Sequence, residues 1–154
     1  MKILDFLNYE RIIAFLSADS KEEVLEELAQ PIAVANPQLD KAGLVKTLLE
    51  RETLGSTGIG GGVAIPHGMS DGLNRLTASF GRSLNGIDFS SMDNKPAHLF
   101  FLLAAPRNSA GDHLKALARI SRLLKDPMLK DGLQKANSAD EIFGILEEYD
   151  HRLP

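Results

Sequence analysis

Apolar positions recur along the chain at two different periods, and each period predicts its own kind of element. Val24, Leu25, Leu28 and Ile32 share one helical face behind Ser20-Lys21-Glu22-Glu23, a capping box in which Ser20 and Glu23 answer each other. Asn36-Pro37 breaks that helix. A second stripe, Leu44, Val45, Leu48 and Leu49, follows Asp40 as the expected cap and carries Arg51 into its last turn. Further on, Asp112 is the expected cap of a helix bearing Leu114, Leu117, Ile120, Leu123 and Leu124. Asp126-Pro127 opens a short helical piece. Ser138-Ala139-Asp140-Glu141 opens a last helix with Ile142, Ile145, Leu146 and Tyr149. The first sixteen residues hold eight large apolar side chains between Ile3 and Leu16, so the N-terminus is expected to pack on the core.

Between these helices the period falls to two. Leu76-Thr77-Ala78-Ser79-Phe80-Gly81 alternates as a half-buried strand does. Gly86, Asp88, Asp93-Asn94 and Pro96 mark a polar connection with one short strand around Ile87. Leu99 to Ala105 is apolar on both faces, which requires a central strand covered on both sides. Strands interleaved with helices predict an α/β domain. The hairpin-like segment after Asp71-Gly72 argues against a purely parallel sheet, so the expectation is a mixed sheet of four to six strands between helices.

Composition narrows the class. A chain of 154 residues fits one domain, 1–154, with a core large enough to need no staples. A net charge of −4 with no basic cluster argues against nucleic-acid binding. The absence of cysteine excludes disulfides and thiolate metal sites and agrees with a cytoplasmic setting. No targeting signal is visible, and the longest apolar run, Leu99 to Ala105, is far short of a membrane span.

Chemistry concentrates between Leu48 and Gly68. The helix carrying Arg51 gives way to Gly55-Ser56-Thr57-Gly58-Ile59-Gly60-Gly61-Gly62, then to Val63-Ala64-Ile65-Pro66 and His67. Glycines permit positive φ and can turn backbone N–H groups toward an anion. Pro66 interrupts the strand and delivers His67 at its end, beside these expected donors. The stretch is neither a G-x-x-x-x-G-K-[ST] loop nor a dinucleotide fingerprint, which would need glycine at Val63. His113 is expected at a helix start just past the central strand, where the helix dipole keeps an imidazole neutral. Arg51 has guanidinium geometry suited to phosphate. His98 enters the buried strand, and His151 lies near the C-terminus.

The segment from Arg51 to Gly68, with Gly58-Ile59-Gly60 and Ala64-Ile65-Pro66-His67-Gly68 at its heart, resembles the signature of the type-2 enzyme IIA domains of the bacterial sugar phosphotransferase system. Its wording is most similar to the nitrogen-regulatory branch, and the resemblance runs from about Ile3 to Tyr149. His98 stands where that pattern would have an acid. The resemblance implies a five-stranded mixed sheet flanked by helices. It implies His67 as the phosphohistidine, reacting at Nε2, with Arg51 and His113 matching the family's arginine and second histidine. From the residues themselves, Thr57, Gly58, Gly60, Gly61 and Gly62 beside His67 are the expected phosphate-binding loop.

The implied activity is phosphocarrier transfer: His67 takes a phosphoryl group from an HPr-like phosphohistidine donor, with no metal, nucleotide or other cofactor required. The nitrogen-type reading makes the phosphorylation state itself the output, altering which regulatory targets are bound. A sugar-specific component would instead pass phosphate to a IIB partner. Two readings lie outside the family. A metal-dependent hydrolase on His67 and His113 lacks the H-x-x-x-H spacing that zinc sites use. A non-catalytic anion-binding module would accept no phosphate.

Overall fold

The computed structural model describes all residues, 1–154. Single 3-10 turns at Ile3–Asp5 and Tyr9–Arg11 lead into β1 (Ile12–Ile13). Helices α1 (Lys21–Ala35) and α2 (Lys41–Thr53) follow, then three short strands, β2 (Gly58–Gly60), β3 (Val63–Ala64) and β4 (His67–Met69). Two long strands, β5 (Thr77–Ile87) and β6 (Ala97–Ala105), precede α3 (Ala110–Leu123), α4 (Pro127–Lys135) and α5 (Ala139–Arg152).

The six strands form one mixed sheet in the order β1-β5-β6-β3-β2, with β4 also on β6. β5 and β6 are antiparallel, whereas β3 and β4 both run parallel to β6. β3 and β4 hold the same register on β6, Val63 opposite Leu99 and His67 opposite Leu103. They are one strand with a gap at Pro66, which is why the sheet has six strands where five were expected. The gap loses only the bond that proline cannot donate, because the Pro66 carbonyl still accepts from Leu103 N at 2.9 Å.

Alternation along β6 divides the core. Leu99, Phe101, Leu103 and Ala105 face a cluster built with α3, α4, α5 and the N-terminal turns. Phe100, Leu102 and Ala104 face the cluster supplied by α1 and α2. Every residue from Leu99 to Ala105 is fully buried, as expected of a central strand with both faces covered. Edge-to-face rings cross each face, Phe80 on Phe101 and Phe89 on Phe100, with centroids 5.7 and 5.5 Å apart.

Several local expectations need correction. The short strand around Ile87 is the far end of β5, which continues through an irregular stretch between Arg82 and Ile87. Asp40 occupies the cap of α2 but makes no capping hydrogen bond. Helix α3 starts at Ala110, earlier than the Asp112 cap implied, so Asp112 lies in the first turn. The Ser109 hydroxyl at its N-cap turns back to the Pro106 carbonyl at 2.8 Å and leaves the helix end without a side-chain cap. Ser138 does cap α5, but Glu141 reaches the Asn137 amide at 2.6 Å.

Two buried arginines fasten elements together. Arg82, on β5, gives its guanidinium to the Ala14, Leu133, Gln134 and Ala136 carbonyls, tying the N-terminal segment and the end of α4 to the sheet. Arg119, on α3, bonds Asp150 through Nε to Oδ1 at 2.7 Å, while Asp150 Oδ2 accepts from Ile3 N at 2.8 Å.

Candidate active site

His67 starts β4 beside the C-terminal end of β6, and His113 lies in the first turns of α3, reached from the same end of β6 through Pro106. The crossover thus brings the two rings together, 5.5 Å between centroids and 76° between planes. Ligand-contacting groups in open α/β sheets gather at this edge. Helix α2 closes the site from the other side, where Thr47 and Leu48 pack against Gly68. A Cβ there would meet Thr47 Cγ2 at 3.3 Å and Leu48 Cδ2 at 3.5 Å. Arg51 is one turn farther along α2, and its charge is felt at His67.

The half-buried His67 ring is oriented by one bond: Nδ1 lies 2.8 Å from the Ile65 carbonyl. A carbonyl only accepts, so Nδ1 carries the proton, and in the neutral ring the lone pair belongs to Nε2. Burial holds the His67 pKa below its usual value. The Ile65 bond opposes that shift, Arg51 adds to it, and Glu52 opposes it. His113 is also pushed down, first by its own burial and then by the nearby His67. Burial and the neighbouring ring thus favour the neutral form of His113, in the same sense as the helix dipole expected from sequence. The buried Nε2 atom of His113 has no hydrogen-bond partner. A buried polar atom without a partner is uncommon, and here it lies next to the His67 ring.

The glycine turn is elsewhere, and the expected ring of donors around His67 is corrected accordingly. Gly60, Gly61 and Gly62 adopt φ of +91°, +65° and +80° as the turn between β2 and β3. Their end of the strand is level with His98, since the Gly62 carbonyl accepts from His98 N. At about 3.3 Å per residue, five residues of extended chain put roughly 16 Å between Gly62 and His67. The Gly61 amide is used by Asp93 Oδ2 at 3.0 Å, and the Gly58 amide by the Ser56 hydroxyl at 3.0 Å. His98 belongs to this far end, with Nδ1 3.0 Å from the Ser83 carbonyl, so its departure from the family pattern does not touch the histidine pair. His151 is exposed in the last turn of α5.

Thr57 is close to His67 along the sheet, but its hydroxyl is committed. It donates to Glu52, whose carboxylate also accepts from Thr57 N at 3.1 Å and pairs with Lys21 Nζ at 3.2 Å. Sequence reasoning misses Glu52, although it carries a signal: Leu44, Leu48 and Glu52 follow at i, i+4 and i+8 on the buried stripe of α2. An acid in the last turn of a helix also opposes the helix dipole, so it needs a tertiary partner.

Comparison with known proteins agrees with this architecture. The family model for the phosphoenolpyruvate-dependent sugar phosphotransferase system, EIIA 2, matches residues 5–149. A nitrogen regulatory protein from Bradyrhizobium diazoefficiens is 43% identical over 146 residues, covering 95% of each chain. A fructose-specific EIIABC component from Bacillus subtilis is 36% identical over 150 residues, which are 97% of this chain and 24% of that protein. The crystal structure of the nitrogen regulatory protein IIA-Ntr from Neisseria meningitidis superposes with a TM-score of 0.85 at 33% identity, covering 92% of this chain and 97% of that one. The chain belongs to the type-2 EIIA family of the phosphotransferase system, whose members act as phosphotransfer components. No helix is long and apolar enough to cross a membrane.

Proposed function

We propose that this protein, as one domain over residues 1–154, is a cytoplasmic phosphocarrier that accepts a phosphoryl group on His67 Nε2 from an HPr-like phosphohistidine donor. The observation that carries the reading is the Nδ1 bond to Ile65, which leaves the Nε2 lone pair of a neutral ring available beside the unpartnered Nε2 of His113. As the Nε2–P bond forms, the P–N bond of the donor breaks, and its electron pair returns to the donor nitrogen. A donor ring protonated on its other nitrogen leaves as neutral imidazole. The His67 proton stays on Nδ1, donated to the Ile65 carbonyl, so the ring takes up the positive charge that the donor gives up.

The transferring group passes through a loose transition state, and the protein's part is to place it and stabilise its oxygens. His113 can donate to one oxygen, and the uncapped first turn of α3 lies beside it. Arg51 can reach a second oxygen once its present bond to the Gly55 carbonyl, 2.9 Å, is released. These three supports replace the glycine loop as the source of donors.

The output we infer is regulatory, with the phosphorylation state selecting target proteins. The nitrogen regulatory relatives, which match over nearly their whole length, support this. The fructose-specific relatives support a second reading, in which His67 passes phosphate to a IIB component.

Incubation with phosphoenolpyruvate, enzyme I and an HPr-like carrier should add one phosphoryl group, read by intact mass. His67→Ala should add none, and His113→Ala should gain it about a hundredfold more slowly, the usual effect of deleting one such donor. Phosphate appearing on His113 in the His67→Ala protein would reverse the assignment. Loss of uptake of a single sugar on gene deletion would favour the second reading, whereas altered nitrogen or ion-transport control would favour the first.

A further inference from the structure

The Glu52–Thr57 contact is the one buried charge cluster near the site to which the transfer scheme gives no task. Glu52 is 8% exposed and Thr57 is 5% exposed, so both are largely withdrawn from solvent. The carboxylate takes the Thr57 amide and hydroxyl together, with Lys21 as counter-ion. Lys21 is itself held over the Phe89 ring, 4.6 Å from its centroid. The cluster therefore fixes the position of residue 57 from a rigid helix, α2.

What residue 57 holds is the segment that orients His67. The Thr57 carbonyl accepts from Ile65 N at 3.0 Å, and the Ile65 carbonyl receives His67 Nδ1 at 2.8 Å. Ile65 and Pro66 lie in the gap between β3 and β4, where the regular ladder is interrupted and proline offers no amide. The bond to Thr57 is thus what fixes the Ile65 peptide on its β2 side. We propose that Glu52 and Thr57 are positioning residues for His67: acting through Ile65, they hold its ring in the Nδ1–H tautomer with Nε2 free to react.

The inference rests on the reading of His67 as acceptor, but its first test does not. Nitrogen-15 NMR of the imidazoles in the unphosphorylated protein reads the His67 tautomer whether or not phosphate is ever transferred. Wild type should show His67 protonated on Nδ1. Thr57→Val keeps the volume, removes the hydroxyl and should give mixed tautomers, and Glu52→Gln should move the same signals in the same sense. The transfer rate from a phosphorylated HPr-like carrier should fall by about ten- to a hundredfold in both, as misplacement of a reacting group costs. Thr57→Ser should regain most of the rate and the single tautomer. Urea midpoints measured alongside identify any variant that is merely less stable. Wild-type tautomer and rate in both Thr57→Val and Glu52→Gln would overturn the proposal. So would a slowed Thr57→Val with unchanged tautomer that Thr57→Ser does not rescue. If wild type shows the predicted tautomer yet accepts no phosphate, the acceptor reading fails while the positioning role stands.

Discussion

Removing the Asp150 carboxylate should be among the most damaging single changes remote from the histidines. Asp150 is 2% exposed and takes Arg119 Nε at 2.7 Å and Ile3 N at 2.8 Å. Arg119 is 8% exposed, so Asp150→Ala leaves its charge in the interior without a counter-ion, held only by the Asp150, Leu153 and Pro154 carbonyls, and leaves the Ile3 amide without an acceptor. Breaking one side of a buried pair costs about 3–5 kcal/mol, most of it from the abandoned charge. With a urea dependence of about 2 kcal/mol per molar, the unfolding midpoint should drop by roughly 2 M. The chain has no tryptophan, so far-ultraviolet circular dichroism is the suitable signal. The double replacement Arg119→Met with Asp150→Leu removes both charges and should be less destabilised than Asp150→Ala alone. A midpoint shift under about 0.5 M for Asp150→Ala, equivalent to roughly 1 kcal/mol, would refute the reasoning. So would a double variant weaker than the single one.

Other expectations follow from the same geometry. Arg82→Met removes the donors for four buried or half-buried carbonyls and should cost about 3 kcal/mol, lowering Tm by about 10 °C in thermal unfolding. Gly68→Val would drive a side chain into Thr47 and Leu48, separate α2 from β4, and slow phosphoryl transfer while costing about 1–3 kcal/mol. Stability should also fall as pH drops below 6.5, because His67 and His113 have depressed folded-state pKa values and the unfolded chain takes up protons first. About a pH unit above 6.5 both states are neutral there and the contribution is flat. The His67→Ala/His113→Ala double variant should show a shallower loss between pH 6.5 and 5.5, measured by urea midpoints.

The helices and the central strand are legible in the sequence because their signals are local. Periodicity in β6 needs no knowledge of what covers it, and the apolar residues at both odd and even positions already demand two layers. Cap positions are less legible. Whether Asp40 or Asp112 bonds a helix end depends on side-chain direction, and Ser109 shows how a nearby carbonyl can draw a hydroxyl away from its helix. The union of the expected Ile87 strand with β5 is hidden for a related reason. Buried Ser83 is followed by exposed Leu84 and Asn85, so no apolar alternation announces that pairing to β6 resumes where Ile87 meets Ala97.

The site shows the sharper limit. His67 and His113 can be singled out as residues, but only closeness in sequence assigns the glycine turn to them. Register decides otherwise: four paired or near-paired residues of extended chain separate Gly62 from His67, and an extended chain carries its two ends apart. Thr57, five residues before Gly62, is nearer to the histidine because β2 folds back along β3 and sets Thr57 beside Ile65. The hairpin thus reverses the order of proximity. It carries the Gly60–Gly62 turn away from His67 and brings the Thr57 carbonyl, with Glu52 behind it, to the peptide whose carbonyl meets His67 Nδ1. Glycine at the turn then has a structural reason: three successive positive-φ residues let the chain reverse tightly enough for Thr57 to meet Ile65.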